Sequence, residues 1–170
     1  VGIIGIGGLG HLGILFAKAL GADTVYAFSR KALKRVDAHK LGADIYGAFE
    51  ESDCFTKHTH SLDLIICTVS SNALPMLDCL KLLRPNGNFV QVGSPEDGPF
   101  SIPAGALIGM GLSLSGSKIG NPTEIREMLA LVEQKNIRPW VEERPMEEAN
   151  HAILDMDQGK ARYRYVLVNQ

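Results

Sequence analysis

What the chain has little of narrows its function first. Its 170 residues hold three cysteines, Cys54, Cys67 and Cys79, far apart and with no C-x-x-C pair. Neither a disulfide framework nor a thiolate metal centre has the spacing it needs, and the expectation is reduced thiols in a cytoplasmic protein. There is no Lys/Arg-rich block and the net charge is −2, which removes the electrostatic footprint of a nucleic-acid binder. No apolar run approaches the ~20 residues that cross a bilayer, so no membrane partner is expected. The first residue is not Met, and the chain opens inside what reads as a core strand, so we expect a fragment whose N-terminal part is missing. His58 and His60 would present two imidazoles from a polar stretch, but without a third ligand nearby they read as part of a solvated loop.

What is there begins at the first residue. Val1 to Ile6 is an apolar strand that runs into Gly5, Gly7, Gly8, Leu9 and Gly10, followed by a helical pattern that puts Leu12, Phe16 and Leu20 on one face. Gly5, Gly7 and Gly10 fit the G-x-G-x-x-G spacing. In it the first glycine turns tightly, the second lets backbone approach a pyrophosphate, and the third lets helix pack on strand. The phosphates would sit at a helix N-terminus, where free N–H groups and the positive dipole end favour an anion.

Beyond the turn, strand and helix patterns alternate. Gly21 fits a helix cap, Thr24 to Phe28 a second strand, and Gly42 the end of a second helix with Leu33, Val36 and Leu41 toward the core and Lys31, Lys34, Arg35 and Lys40 outside. Asp44 to Tyr46 reads as a third strand, and Leu62 to Val69 as a central strand covered on both faces. Leu74, Leu77, Leu80 and Leu83 repeat at helical spacing up to a stop at Pro85-Asn86-Gly87, then Asn88 to Val92 forms the fifth strand and Leu112 to Ser117 the sixth. Such alternation implies right-handed βαβ crossovers and an α/β fold of Rossmann type, a doubly wound parallel six-stranded sheet. The sixth strand would be an edge that invites pairing with a second subunit. After Pro122 the pattern changes to a charged helix, a strand near Arg138 to Glu143, a helix from Met146 to Asp157 and a last strand at Tyr163 to Val168.

In NAD-binding domains of this design, a carboxylate at the end of the second strand bonds the adenosine ribose. Here that strand ends in Ser29-Arg30-Lys31, and the nearest acid, Asp23, lies at the opposite end. Ser29, Arg30 and Lys34 set a hydroxyl and two cations where a 2′-phosphate would project. Charge-assisted contacts of about 1.5–3 kcal/mol each would favour NADP over NAD by about one to three powers of ten.

Gly5 to Gly13, Ala17-Lys-Ala-Leu-Gly-Ala22, Ser29-Arg30 and Leu41-Gly-Ala-Asp44 resemble the coenzyme domain of the zinc-containing medium-chain alcohol dehydrogenases, especially the NADP-dependent, cinnamyl alcohol dehydrogenase-like branch. Val92 to Pro95, Gly116 to Gly120 and Lys160 to Leu167 agree, in the same order, so the resemblance runs along essentially the whole chain. It implies that Ser29, Arg30 and Lys34 hold the 2′-phosphate, that Arg164 reaches the pyrophosphate, and that backbone around Val92, Gly93 and Ser94 and from Ser115 to Ser117 lines the nicotinamide end. Gly8 and Leu9 in the turn and Thr68 near the end of the fourth strand complete the expected cofactor set. It further implies an NADP-binding domain over 1–119, a segment over 120–170 that belongs to a catalytic domain, and a homodimer through the sixth strand.

In that family the zinc ligands and proton relay lie upstream of the glycine turn, so zinc is expected only in the full-length protein and this chain alone is expected to bind cofactor without catalysis. The full-length activity implied is hydride transfer between nicotinamide and a primary alcohol or aldehyde. The alternatives are a zinc-free quinone or enoyl reductase of the same superfamily, a non-catalytic dinucleotide-sensing module, and a methyltransferase. The last is disfavoured because Ile3, Ile4 and Ser29 stand where its acids belong.

Overall fold

Short aliphatic runs separated by helical segments fold, in the computed structural model, into parallel strands joined by helices; residues 1–95 and 97–169 are described. Six strands, β1 (Gly2–Ile4), β2 (Tyr26–Ser29), β3 (Ile45–Ala48), β4 (Leu62–Cys67), β5 (Leu83–Gln91) and β6 (Ser113–Gly116), form one sheet in the order β3-β2-β1-β4-β5-β6. Every neighbouring pair is parallel. This is the doubly wound sheet expected, and its strand order reverses between β1 and β4, the place where such sheets receive ligands.

Alternation along the strands divides the core into two layers. Ile4, Phe28, Ile65 and Phe89 pack on one face with α3 (Cys54–Lys57) and α4 (Met76–Lys81), while Ile3, Ala27 and Val25 pack on the other with α1 (Gly10–Ala19) and α2 (Arg35–Lys40). After α5 (Ala104–Ile108) and β6, the chain forms α6 (Pro122–Gln134), β7 (Val141–Pro145), α7 (Ala149–Asp157) and β8 (Arg164–Val168). β7 and β8 pair in parallel as a separate sheet.

Several local expectations are corrected. The buried face of α1 is Gly10, His11, Ile14 and Ala17, and Leu20 is 69% exposed. The helix approaches β1 closely enough that a Cβ on Gly13 would lie 3.2 Å from Ile3, and Leu12 and Phe16 are only half-buried while Leu20 is exposed. In and around α2, Ala38 and Leu41 are buried, Leu33 and Val36 are exposed, and Lys34 is half-buried. β3 runs to Ala48 rather than stopping at Tyr46, and Pro85-Asn86-Gly87 lies inside β5 as an irregularity opposite Leu62 to Leu64, not before it. Leu83 belongs to that strand, and Leu77 is exposed. His58 is no solvated loop residue: its ring meets Tyr26 and Phe28 edge-on at 5.4 and 6.0 Å. The three cysteines are free and buried, and burial raises each thiol above its ordinary value, Cys54 to about 11.

Candidate cofactor site

The site is built where β1 ends. Gly5 turns the chain at φ +90°, and its carbonyl accepts the Thr68 hydroxyl at 2.9 Å. A Cβ on Gly10 would fall 1.7 Å from the Gly5 carbonyl oxygen, so the helix can start only on a glycine. Gly7 differs: a Cβ there would meet nothing within 4 Å, because the residue faces an open cleft. His11, fully buried in the first turn of α1, lies with Nδ1 3.2 Å from the Gly7 carbonyl oxygen. A carbonyl can only accept, so Nδ1 carries the proton and Nε2 is left buried without a partner. Burial holds this imidazole below its ordinary pKa, and the ring stacks on Tyr163 at 5.2 Å.

The cleft has a volume of 570 Å³ and gathers Gly5, Gly7, Gly8, Leu9, Ser29, Arg30, Lys34, Thr68 and Arg164. Gly10 lies beneath it as the hinge of turn and helix. Val92, Gly93, Ser94, Ser115 and Ser117 are not in its lining. Ser115 lies within β6 and the others follow β5 or β6, where the Val92 and Gly93 N–H groups bond the Cys67 carbonyl and Ser117 N–H bonds the Gln91 carbonyl. Gly93 is so close to β4 that a Cβ would lie 2.4 Å from the Val69 carbonyl oxygen.

Arg30, Lys34 and Arg164 make the cleft electropositive, and among the described residues no carboxylate lines it. Lys34 donates Nζ to the Ile6 carbonyl, while burial, and after it the Arg162 charge, lower its pKa. Arg164 reaches from β8 to donate Nε to the Gly8 carbonyl at 3.1 Å. Glu50, which follows β3, accepts the Ala32 N–H at 2.8 Å and does not line the cleft. Spacing and charge did not point to the apolar part of the lining, Phe49, Leu74 and Pro75. Phe49 follows β3 at the same end as the glycine turn, and that position was its one sequence-level signal. The geometry suits a dinucleotide: free turn N–H groups for a pyrophosphate, cations for a further phosphate, and an aromatic wall beside them. Among the described residues no group of three or more His, Cys, Asp or Glu could hold a metal ion.

The family model for zinc-binding dehydrogenases matches residues 8–134. The chain belongs to the zinc-binding dehydrogenase family. It is 38% identical over 183 residues to NADP-dependent alcohol dehydrogenase 6 of Saccharomyces cerevisiae, covering 99% of this chain and 47% of the relative. With NADP-dependent alcohol dehydrogenase C of Mycobacterium bovis it shares 40% over 167 residues, 98% of this chain and 47% of the relative. Among solved structures, a cinnamyl alcohol dehydrogenase of Sorghum bicolor superposes with a TM-score of 0.92 at 34% identity, covering 98% of this chain and 46% of that one. The cinnamyl alcohol dehydrogenase of Helicobacter pylori complexed with NADP(H) gives 0.83 at 30% identity, with 98% and 46% covered. This zinc-binding dehydrogenase chain thus resembles the cinnamyl alcohol dehydrogenase-like branch of the medium-chain enzymes, and it spans about half the length of the relatives it matches.

Proposed function

We propose that the chain is the NADP(H)-binding portion of an alcohol dehydrogenase or aldehyde reductase. The observation that carries this reading is the cationic cleft at the glycine turn, with Ser29, Arg30 and Lys34 at the end of β2 and no lining carboxylate among the described residues. The names of the yeast and mycobacterial relatives support the same coenzyme. The turn N–H groups and Arg164 would hold the pyrophosphate, Ser29, Arg30 and Lys34 the 2′-phosphate, and Phe49 with Leu74 the adenine between them. Backbone from Val92 to Ser94 and from Ser115 to Ser117 would face the nicotinamide, which supplies or accepts the hydride when bound.

Residues 1–119 are proposed as the NADP-binding domain and 120–170 as a segment that serves a catalytic domain. The chain alone would bind coenzyme without turnover, since among the described residues no group of three or more His, Cys, Asp or Glu could hold a metal ion. The β6 edge, exposed along its whole length, would pair across a homodimer.

Parallel titrations with NADPH and NADH at low salt test the reading. Tighter NADPH binding is expected, weakened about ten- to a hundredfold in Arg30→Ala. Equal affinities for the two coenzymes, or an Arg30→Ala variant that keeps its preference, would overturn it.

A further inference from the structure

Lys34 is the ammonium that the preceding reading assigns to the 2′-phosphate, and no carboxylate lies within ion-pair distance of it among the described residues. Its Nζ rests on the Ile6 carbonyl and stands 5.5 Å from the centre of the Tyr163 ring. One carboxylate is nonetheless placed to reach it. Asp37 lies in the first turn of α2, the helix that Lys34 caps, three positions farther along the chain. Its charge opposes the burial and the Arg162 charge that lower the Lys34 ammonium.

Asp37 is instead held by the C-terminal segment. The Tyr163 hydroxyl donates to Asp37 Oδ2 at 2.9 Å, and Arg162 Nε stands 3.7 Å from the same oxygen. Tyr163 has little freedom to release it: the residue is 4% exposed, stacked on His11 and packed against Trp140 at 5.9 Å. A phenylalanine would fill the same space, so packing gives no account of the hydroxyl.

We infer that Tyr163 is a specificity-determining positioning residue, whose hydroxyl retains Asp37 and so keeps Lys34 free for a 2′-phosphate. The inference rests on the NADP reading of the cleft. Without the hydroxyl, Asp37 keeps only the longer Arg162 contact at 3.7 Å and turns toward Lys34, and the half-buried pair must be broken before a phosphate can bind. NADPH alone feels that competition, because NADH carries no 2′-phosphate.

The test is a set of parallel NADPH and NADH titrations of the chain carrying Tyr163→Phe, Asp37→Asn, or both. Tyr163→Phe is expected to weaken NADPH about tenfold with NADH unchanged, and adding Asp37→Asn to return NADPH to within about twofold of the parent. A purely structural role for Tyr163 would weaken both dinucleotides and resist that rescue, and this outcome, or an unchanged NADPH to NADH ratio in Tyr163→Phe, overturns the inference. Asp37→Asn alone, which leaves the buried ring intact, is expected to bind NADPH at least as tightly as the parent, and a loss of about tenfold there overturns it as well. A parent chain with no preference for NADPH removes the NADP reading itself, and the inference with it.

Discussion

The six-stranded sheet and the unit built on β7 and β8 use the same kinds of element and differ in what those elements bury. Ile3, Ile4, Phe28, Ile65 and Phe89 are wholly shielded in the sheet, whereas α6 buries none of its 13 residues and α7 only Ala152. Ile153, Leu154 and Met156 remain 54%, 55% and 57% exposed. The first region is held by its own core. The second is held by local devices, a capping box at Asn121 and an Asp155 cluster with Arg144 and Lys160, and by a few side chains such as Tyr163, which bonds Asp37 in α2, and Arg164, which bonds the glycine turn. The two regions therefore differ in how much apolar side chain they shield, and we expect the sheet to be the more stable.

Substitutions can widen or erase that contrast. The largest loss is expected for Phe28→Ala, which empties a fully buried aromatic site and should cost about 3–5 kcal/mol in denaturant unfolding. An equally small effect there as in the C-terminal unit would break the comparison. Gly10→Ala comes next, at about 1–3 kcal/mol for a methyl forced against the Gly5 carbonyl, read as a fall of about 2–12 °C in melting temperature. Gly7→Ala should leave the melt unchanged and weaken coenzyme binding, so the pair separates packing from recognition within one turn. Asn121→Ala should lower the stability of α6 by about 1 kcal/mol through loss of its cap, measured as faster amide exchange there with the sheet unaffected.

Acid should loosen the C-terminal unit through Asp155. Hydrogen bonds from Lys160, then Arg144, depress its pKa below the ordinary 3.8. A depressed carboxylate contributes its stabilisation in full above that value and loses it as pH falls through the folded-state value. Exchange of the α7 and β7 amides should therefore accelerate below pH 3.8, and an Asp155→Asn variant should show no such acid step. The smallest effect is Leu154→Ser, within about 0.5 kcal/mol, because the side chain is already mostly in water.

The sheet was legible because its signals are local: apolar runs of strand length, helical spacing between them, and glycines at fixed offsets. Helix faces were less legible. Sequence patterns weight large apolar residues, yet Gly10, Gly13, Ala17 and Ala38 define the close contacts, and Leu20, Leu33 and Val36 point to solvent. Of the candidate site, the turn with Ser29, Arg30 and Lys34 followed from spacing and charge, and Arg164 entered only through resemblance. Phe49, Leu74 and the Tyr163 hydroxyl bond to Asp37 could not be read that way, because each depends on segments brought together from distant parts of the chain; the last spans 126 positions.

The bond from Arg164 to the Gly8 carbonyl spans 156 positions. During synthesis the glycine turn is among the first parts of this sequence to emerge, yet its cleft lacks one of its cations until nearly all the rest has followed. The entropy of closing so long a loop grows only with the logarithm of its length, so the delay costs little at equilibrium. It matters for timing. The parallel sheet can assemble first, and the cleft gains its complete set of cations only when β8 docks.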